Sequence, residues 1–301
     1  MVPRCAALLA VPATVLLSLS CASPAPEPPA VPPVTLEHAL GTTTVTGTPQ
    51  RVVALGPTDA DAALALGVTP VGVASTGIGD GIPGWTRAAI DGAAPQVLEV
   101  TGDAQQVDLE AVAALQPDLI LASGYYDVAT VYDRLSAIAP TLAYRAGPAS
   151  DPWQEVTTQV GRALGRAEQA ADVVESVEAR LTTAADAHAD LRGRTFTFGY
   201  VTPQGVSTLR DPDDVMTTVP ATLGLGLSPA VLALPEGESF AVTVSRENVA
   251  VLDADVLALY FGGDAAAEAG FMADPLVTRL PVVQRGAVVV LDDEQLSLIH
   301  I

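Results

Sequence analysis

The sequence predicts an α/β fold: two α/β lobes with mainly parallel sheets, joined by a single long helix, with a ligand cleft between the lobes. Three observations carry that expectation. Short apolar runs rich in Val, Leu and Ala alternate with helical patterns between Arg51 and Tyr144. The alternation stops from Pro152 to Leu191, where good helix formers place apolar residues three and four apart. It resumes at "RTFTFGYV" and closes with "RGAVVVLDD". Strands alternating with helices pair in parallel, because a parallel neighbour needs a crossover long enough to hold a helix. At 301 residues the chain can bury two separate cores.

The first residues are not part of that fold. Residues 1–21 read as a lipoprotein-type signal peptide. Arg4 supplies a positive start, "CAALLAVPATVLLSLS" is too short to span a bilayer comfortably, and Cys21 follows as the candidate lipidation site. Ser18 stands where such signals usually carry Leu, with Leu17 one place away, so plain secretion and an uncleaved anchor are the alternatives. Residues 22–34, containing "ASPAPEPPAVPP", form a proline-rich extended tether. The N-terminal α/β lobe is expected over 35–150, the linking helix over 151–192 and the C-terminal lobe over 193–301. Cys5 and Cys21 are the only cysteines and both precede the lobes, so the mature fold has no disulfide.

Within the first lobe, a strand is expected over Arg51–Leu55, then a turn at Gly56-Pro57 and a helix. Thr58 or Asp59 suits its N-cap and Gly67 its C-terminal stop. Pro70–Ala74 is the next strand, and the glycine-rich "STGIGDGIPGW" suits a mobile rim. A helix over Asp108–Leu115 leads into a strand at Leu119–Ala122, and a helix near Ala129–Ile138 into one at Thr141–Tyr144. Pro152–Leu191 reads as one long helix, or as one with a break near Gly161 or Gly165.

One unit occurs twice. "VDLEAVAALQPDLILAS" from Val107 and "VSRENVAVLDADVLALY" from Val244 agree at Val, Glu, Val, Ala, Leu and Asp. Both read as a capped helix, a short turn and a buried strand. Asp108 and Ser245 suit the N-caps, which puts Glu110 and Glu247 in the first helical turns, exposed. A glutamate there complements the helix dipole by about 0.3–1 kcal/mol, which is a sufficient structural reason for either one. Asp118 and Asp255 fall in the turn before each strand, where a short acceptor satisfies backbone donors.

All the basic residues are arginine, and 14 of them against 35 acids leave a formal charge of −21. Such a surface repels nucleic acid and acidic headgroups, so neither is an expected ligand. No catalytic signature is present: there is no G-x-S-x-G elbow and no P-loop, and "GLGLSP" lacks the third glycine of a dinucleotide fingerprint. His38, His188 and His300 are too scattered for a metal site. Aromatic residues and arginines at strand ends are more informative, because ligands of parallel sheets collect at carboxyl ends. The candidates are Tyr125 and Tyr126 after "LILASG", Tyr144 and Arg145 after "TLA", Tyr200, Arg210, Tyr260 and, in the rim, Trp85. Together they predict a stacking, partly cationic cleft for an organic chelate, in preference to phenol oxygens binding ferric iron directly.

Taken in order, "PQRVVALGPTDADAALALGVTPVGVA", "DLEAVAALQPDLILAS", "RLSAIAPTLAY", "VSRENVAVLDADVLAL" and "DPLVTRLPVVQRGAVVVLD" resemble the substrate-binding proteins of iron–siderophore ABC importers. Relatives of that family carry cobalamin and haem. The resemblance spans roughly Val45 to Asp293. It implies two α/β lobes on one long helix, capture of a ferric siderophore without catalysis or cofactor, and delivery to a membrane permease. It also implies that Glu110 and Glu247 meet arginines of the permease, one glutamate per lobe. The carrier is expected to work as a monomer, extracytoplasmic and lipid-anchored to the bacterial cell membrane, or periplasmic or secreted if the lipid signal is unused. The family usually continues into a further helix that "EQLSLIHI" does not resemble, so the C-terminal lobe is expected to be truncated. Three readings compete: an anionic ferric siderophore held by Arg145 and Arg210; cobalamin or haem in the same fold; and, remotely, a chelate-processing enzyme.

Overall fold

The computed structural model describes residues 32–76, 81–101, 106–147, 150–202, 205–212, 214–235 and 241–292. The signal segment with Cys21, and His300 with the rest of "EQLSLIHI", lie outside them.

In the first lobe, a hairpin of β1 (Val34–His38) and β2 (Gly41–Val45) precedes β3 (Val52–Ala54) and α1 (Pro57–Ala65). Next come β4 (Gly72–Ala74), α2 (Gly84–Ala89), β5 (Gln96–Leu98), and the short β6 (Val100–Thr101) and β7 (Gln106–Val107). α3 (Leu109–Ala114), β8 (Leu119–Ala122), α4 (Val128–Ser136) and β9 (Thr141–Ala143) complete it. The central sheet runs β5-β4-β3-β8-β9 and every pairing is parallel. Successive side chains point to opposite faces of a strand. Leu119 and Leu121 therefore join one buried cluster with Val52, Ala54 and Val160, while Ile120 and Ala122 join the other with Val53 and Val112. A strand buried on both faces reads as an unbroken apolar run, which is why "LILA" was recognisable.

α1 starts differently from the sequence expectation. Gly56, not Thr58 or Asp59, is the N-cap, with Pro57 in the first turn. Asp59 is fully buried, and its two carboxylate oxygens accept the backbone N–H groups of Ser123 and Gly124 at 3.2 and 3.0 Å. A Cβ on Gly56 would stand 2.5 Å from Asp59 Oδ2 and 2.6 Å from the Gly124 Cα, so only glycine fits between them. α1 ends as expected at Gly67, with φ of +70°. The Gly67 N–H donates to Leu64 O and Val68 N–H to Ala63 O, a Schellman closure. The Arg166 guanidinium donates to Leu66 O, placing a cation on the same helix end.

The expected single joining helix is two helices, α5 (Trp153–Ala163) and α6 (Ala167–Ala187). Both glycines suspected of breaking it take part. Gly165 adopts φ of +70° and, with Arg166 N–H donating to Gly161 O at 2.7 Å, closes a second Schellman motif. A Cβ on Gly161 would lie 2.3 Å from the Ala170 Cβ, so this glycine lets α6 fold back closely over α5. The α5 residues Val156, Val160 and Ala163 belong to the first lobe's core, and α6 then runs to a 3₁₀ turn at Ala189–Leu191.

The second lobe contains β10 (Thr195–Thr202), β11 (Gly205–Leu209), α7 (Val215–Thr222), β12 (Gly226–Leu227), α8 (Pro229–Leu232) and β13 (Ala241–Val244). It continues through a 3₁₀ segment (Arg246–Leu252), β14 (Val256–Tyr260), α9 (Ala265–Met272), α10 (Pro281–Gln284) and β15 (Val288–Leu291). Its sheet runs β13-β11-β10-β14-β15, with β12 also on β10. This sheet is mixed, because β11 pairs antiparallel with both β10 and β13. The aspartates of the repeat hold equivalent places in the two lobes. Asp118, before β8, accepts the N–H groups of Gln50 and Arg51 at 2.7 and 2.8 Å. Asp255, before β14, accepts Thr195 N–H at 2.8 Å and its hydroxyl at 3.0 Å. Each ties the entry of one strand to the entry of its parallel neighbour.

The crowded turn gives a direct stability test. Gly56→Ala forces its new methyl against backbone, so overpacking is expected to cost about 1–3 kcal/mol. The check is a lower urea midpoint at unchanged slope; a wild-type midpoint would show that the turn has room.

Candidate functional site

The carboxyl ends of the inner strands of the first lobe face one face of the second lobe's sheet across a cavity of about 480 Å³. From the first lobe come the turn after β3 (Leu55, Pro57, Thr58), the residues after β4 (Ser75, Thr76), Trp85, and Gly124, Tyr125 and Tyr126 after β8. From the second come Phe198, Tyr200, Ser207, Leu209, Met216 and Tyr260. Asp61 and Asp214 complete the polar part of the lining.

Each aromatic is held by a local cause. The buried Trp85 donates its indole N–H to Asp61 Oδ1 at 3.1 Å, which fixes α2 against α1. Tyr125 is buried, and its phenol oxygen accepts the Val107 N–H at 3.2 Å. Tyr260 is buried under Tyr200, their ring centroids 5.6 Å apart and planes inclined by 21°. Tyr126 and Tyr200, one per lobe, stay 42% and 41% exposed at the cavity mouth. Exposed rings of this size lose water only when something covers them, so they favour a ligand of matching shape.

Electrostatically the cavity is acidic. Asp61 is half-buried in the cavity wall, and desolvation pushes its carboxyl up to about 7, against the hydrogen bonds from Trp85 and Thr86. Burial also raises Asp214, whose side chain caps α7 by accepting Met216 N–H at 2.8 Å. The Tyr126 phenol is pushed up to about 12, first by loss of water and then by the charge of Asp214. Among the described residues, no three His, Cys, Asp or Glu side chains converge as a metal site.

Trp85, Tyr125, Tyr126, Tyr200 and Tyr260 thus come together, and Tyr144, Arg145 and Arg210 do not join the lining. β9 is an edge strand of the parallel sheet, so its end lies to one side of the inner strand ends that line the cavity. Tyr144 packs with the core around Val128 and Leu135. Arg145 is exposed and paired with Glu155 at 2.7 Å, while its backbone N–H donates to Asp151. Arg210 directly follows the lining residue Leu209 at the end of β11. The partly cationic cleft of the sequence reading is therefore corrected to an aromatic, acidic one. Sequence reasoning missed Phe198, Met216, Asp61 and Asp214. Phe198 was findable, since Phe196, Phe198 and Tyr200 alternate along one strand and so share a face. Asp61 was not, because only the fold brings it to Trp85.

Glu110 and Glu247 are both exposed. Asp108 caps α3 as expected, accepting Glu110 N–H at 2.9 Å. The second copy differs: Glu247 sits on a 3₁₀ segment, and Ser245 occupies the N-cap with no side-chain cap bond. The bond from Val107 to Tyr125 ties the entry of α3 to the cleft edge.

Residues 52–295 match the family model described as periplasmic binding protein. The chain belongs to that family. This periplasmic binding protein is 28% identical over 281 residues to the ferric enterobactin-binding periplasmic protein FepB of Escherichia coli, covering 88% of this chain and 86% of that one. A periplasmic solute binding protein from Mycobacterium smegmatis is 29% identical, with a TM-score of 0.73 over 89% of this chain and 91% of that one. Streptococcus pneumoniae PiaA, solved in complex with ferrichrome, is 27% identical, with a TM-score of 0.70 over 88% and 90%.

The raised Asp61 carboxyl has a measurable consequence. Its folded value of about 7 exceeds the ordinary 3.8, so the folded chain retains a proton that the unfolded chain releases. Stability from this group is fullest below about pH 4 and falls as pH rises towards about 7. Denaturation midpoints from about pH 4.5 to 7.5 are expected to fall more steeply for wild type than for Asp61→Asn. Parallel profiles would refute the assignment.

Proposed function

We propose that this periplasmic binding protein captures a ferric siderophore between its lobes and delivers it to the permease of an ABC importer. The observation that carries the reading is the cavity of about 480 Å³ lined by tyrosines from both lobes, in a chain of this family. That volume lies in the range of organic ligand sites, and aromatic faces suit the apolar exterior of a wrapped chelate. The relatives named for ferric enterobactin and solved with ferrichrome support iron chelates as the cargo class. The work is capture and release, with no chemical change to the cargo.

In this reading Glu110 and Glu247 meet arginines of the permease, and two such pairs fix orientation as well as affinity. Cys21 carries the lipid anchor that keeps the receptor at the outer face of the cell membrane. Among the described residues no helix is long and apolar enough to cross a membrane.

Cobalamin is the second reading, favoured by one observation: the lining is aromatic and contains no arginine among the described residues. Haem fits less well. His38, the one buried histidine among the described residues, bonds Thr43 and Tyr132, and the Tyr125 phenol oxygen is engaged by Val107.

Trp85 lines the cavity and Trp153, at the start of α5, is not in the lining, so ferric chelates are expected to quench mainly Trp85. Trp85→Phe should remove most of the quenching amplitude; full quenching in that variant would place the ligand elsewhere. Separately, Glu110→Ala with Glu247→Ala should abolish uptake by cells while leaving chelate affinity of the purified protein unchanged. Normal uptake by the double variant would remove the docking assignment.

A further inference from the structure

The charge of the cleft narrows the cargo further. Among the described residues lining it, the acidic and basic side chains are Asp61, from the first lobe, and Asp214, from the second; both are carboxyls and none is a cation. The arginines nearest in sequence are turned to other work or stand outside the lining. Arg87, two residues after Trp85, is exposed and donates to the Ile82 carbonyl, and Arg210 lies one residue beyond the lining. The internal residues outside the description, 77–80, 102–105, 148–149, 203–204, 213 and 236–240, include Asp80, Asp103, Asp213, Glu236 and Glu238 but no arginine or lysine. They cannot supply a cation from any position. The chain as a whole carries −21, so its long-range field also draws cations and repels anions.

We propose that the chelate accepted here is a neutral-core, hydroxamate-type ferric complex bearing an ammonium group, and not an anionic one. Three hydroxamates are each monoanionic, so together they cancel the charge of ferric iron. Three catecholates leave a trianion, which would have to sit in a water-poor cavity against two carboxylates. Asp61 and Asp214 line the cavity from different lobes, so an ammonium arm reaching both would also draw the lobes together. The Tyr126 and Tyr200 rings at the mouth and the stacked Tyr260 would cover the apolar shell of the chelate. The inference rests on the siderophore reading above, and its test separates the two.

The test is a fluorescence or calorimetric titration of the purified chain with four probes. These are a ferric trihydroxamate with a free amine, the same complex with that amine acetylated, a ferric tris-catecholate, and cobalamin. The amine form is expected to bind roughly tenfold tighter than the acetylated form and roughly a hundredfold tighter than the tris-catecholate. Asp61→Asn combined with Asp214→Asn should abolish the tenfold preference while the acetylated form still binds, which also shows that the variant folds. Tightest binding of the tris-catecholate, or an undiminished preference in the double variant, overturns the inference and leaves the siderophore reading standing. Binding of cobalamin alone, or of no probe, overturns both.

Discussion

The cleft depends on one buried carboxylate. Asp59, in the first turn of α1, accepts the backbone N–H groups of Ser123 and Gly124 and so fixes the turn that leaves β8. Tyr125 and Tyr126 follow at once, and their positions are inherited from that turn. The arrangement works only because two glycines, Gly56 and Gly124, let two backbone segments close around the carboxylate. Burial pushes the acid up to about 6, against the pull of the two amides. An unmet amide pair here would cost about 1–3 kcal/mol for each group, so the geometry is strongly specified.

The second lobe reaches a comparable result by other means. Its sheet offers a face to the ligand, so Phe198, Tyr260 and Leu209 are cleft residues by strand parity. The shared logic of the lobes lies deeper, in the aspartate staples. Asp118 and Asp255 each bind the first residues of the neighbouring strand and thereby set the parallel register on which the strand ends depend. The repeat in the sequence is therefore partly a register device. Its glutamates are free of that duty: both are exposed, on an α-helix in one lobe and a 3₁₀ segment in the other.

Where one physical rule dominated a segment, the sequence was legible. "LILA" is a strand buried on both faces, Gly67 and Gly165 stop helices because the chain there turns left-handed, and Asp108 caps a helix. Legibility failed where position depends on distant partners. The β1–β2 hairpin was missed because its start, at Val34, adjoins the proline-rich stretch. Arg145 looked like a cleft residue because it ends a strand, but that strand is the sheet edge, and Glu155 on α5 takes the guanidinium. Edge and centre strands look alike until the strand order is known. For the same reason the sign of the cleft charge was misread, since Asp61 lies mid-helix and becomes a cleft residue only when α2 brings Trp85 to it.

In the proposed account, the carrier's specificity rests on shape and on the sign of charge at two points. Tyrosines from both lobes line the cavity, and Asp61 and Asp214 are its acidic side chains among the described residues. The most direct measurement is an anomalous difference map at the iron edge, from crystals grown with a ferric trihydroxamate. A single iron peak between Tyr126 and Tyr200, with the chelate's ammonium group towards Asp61 or Asp214, is the predicted result. An iron peak outside this cleft, or iron ligated directly by tyrosine oxygens with no chelate around it, would contradict the account.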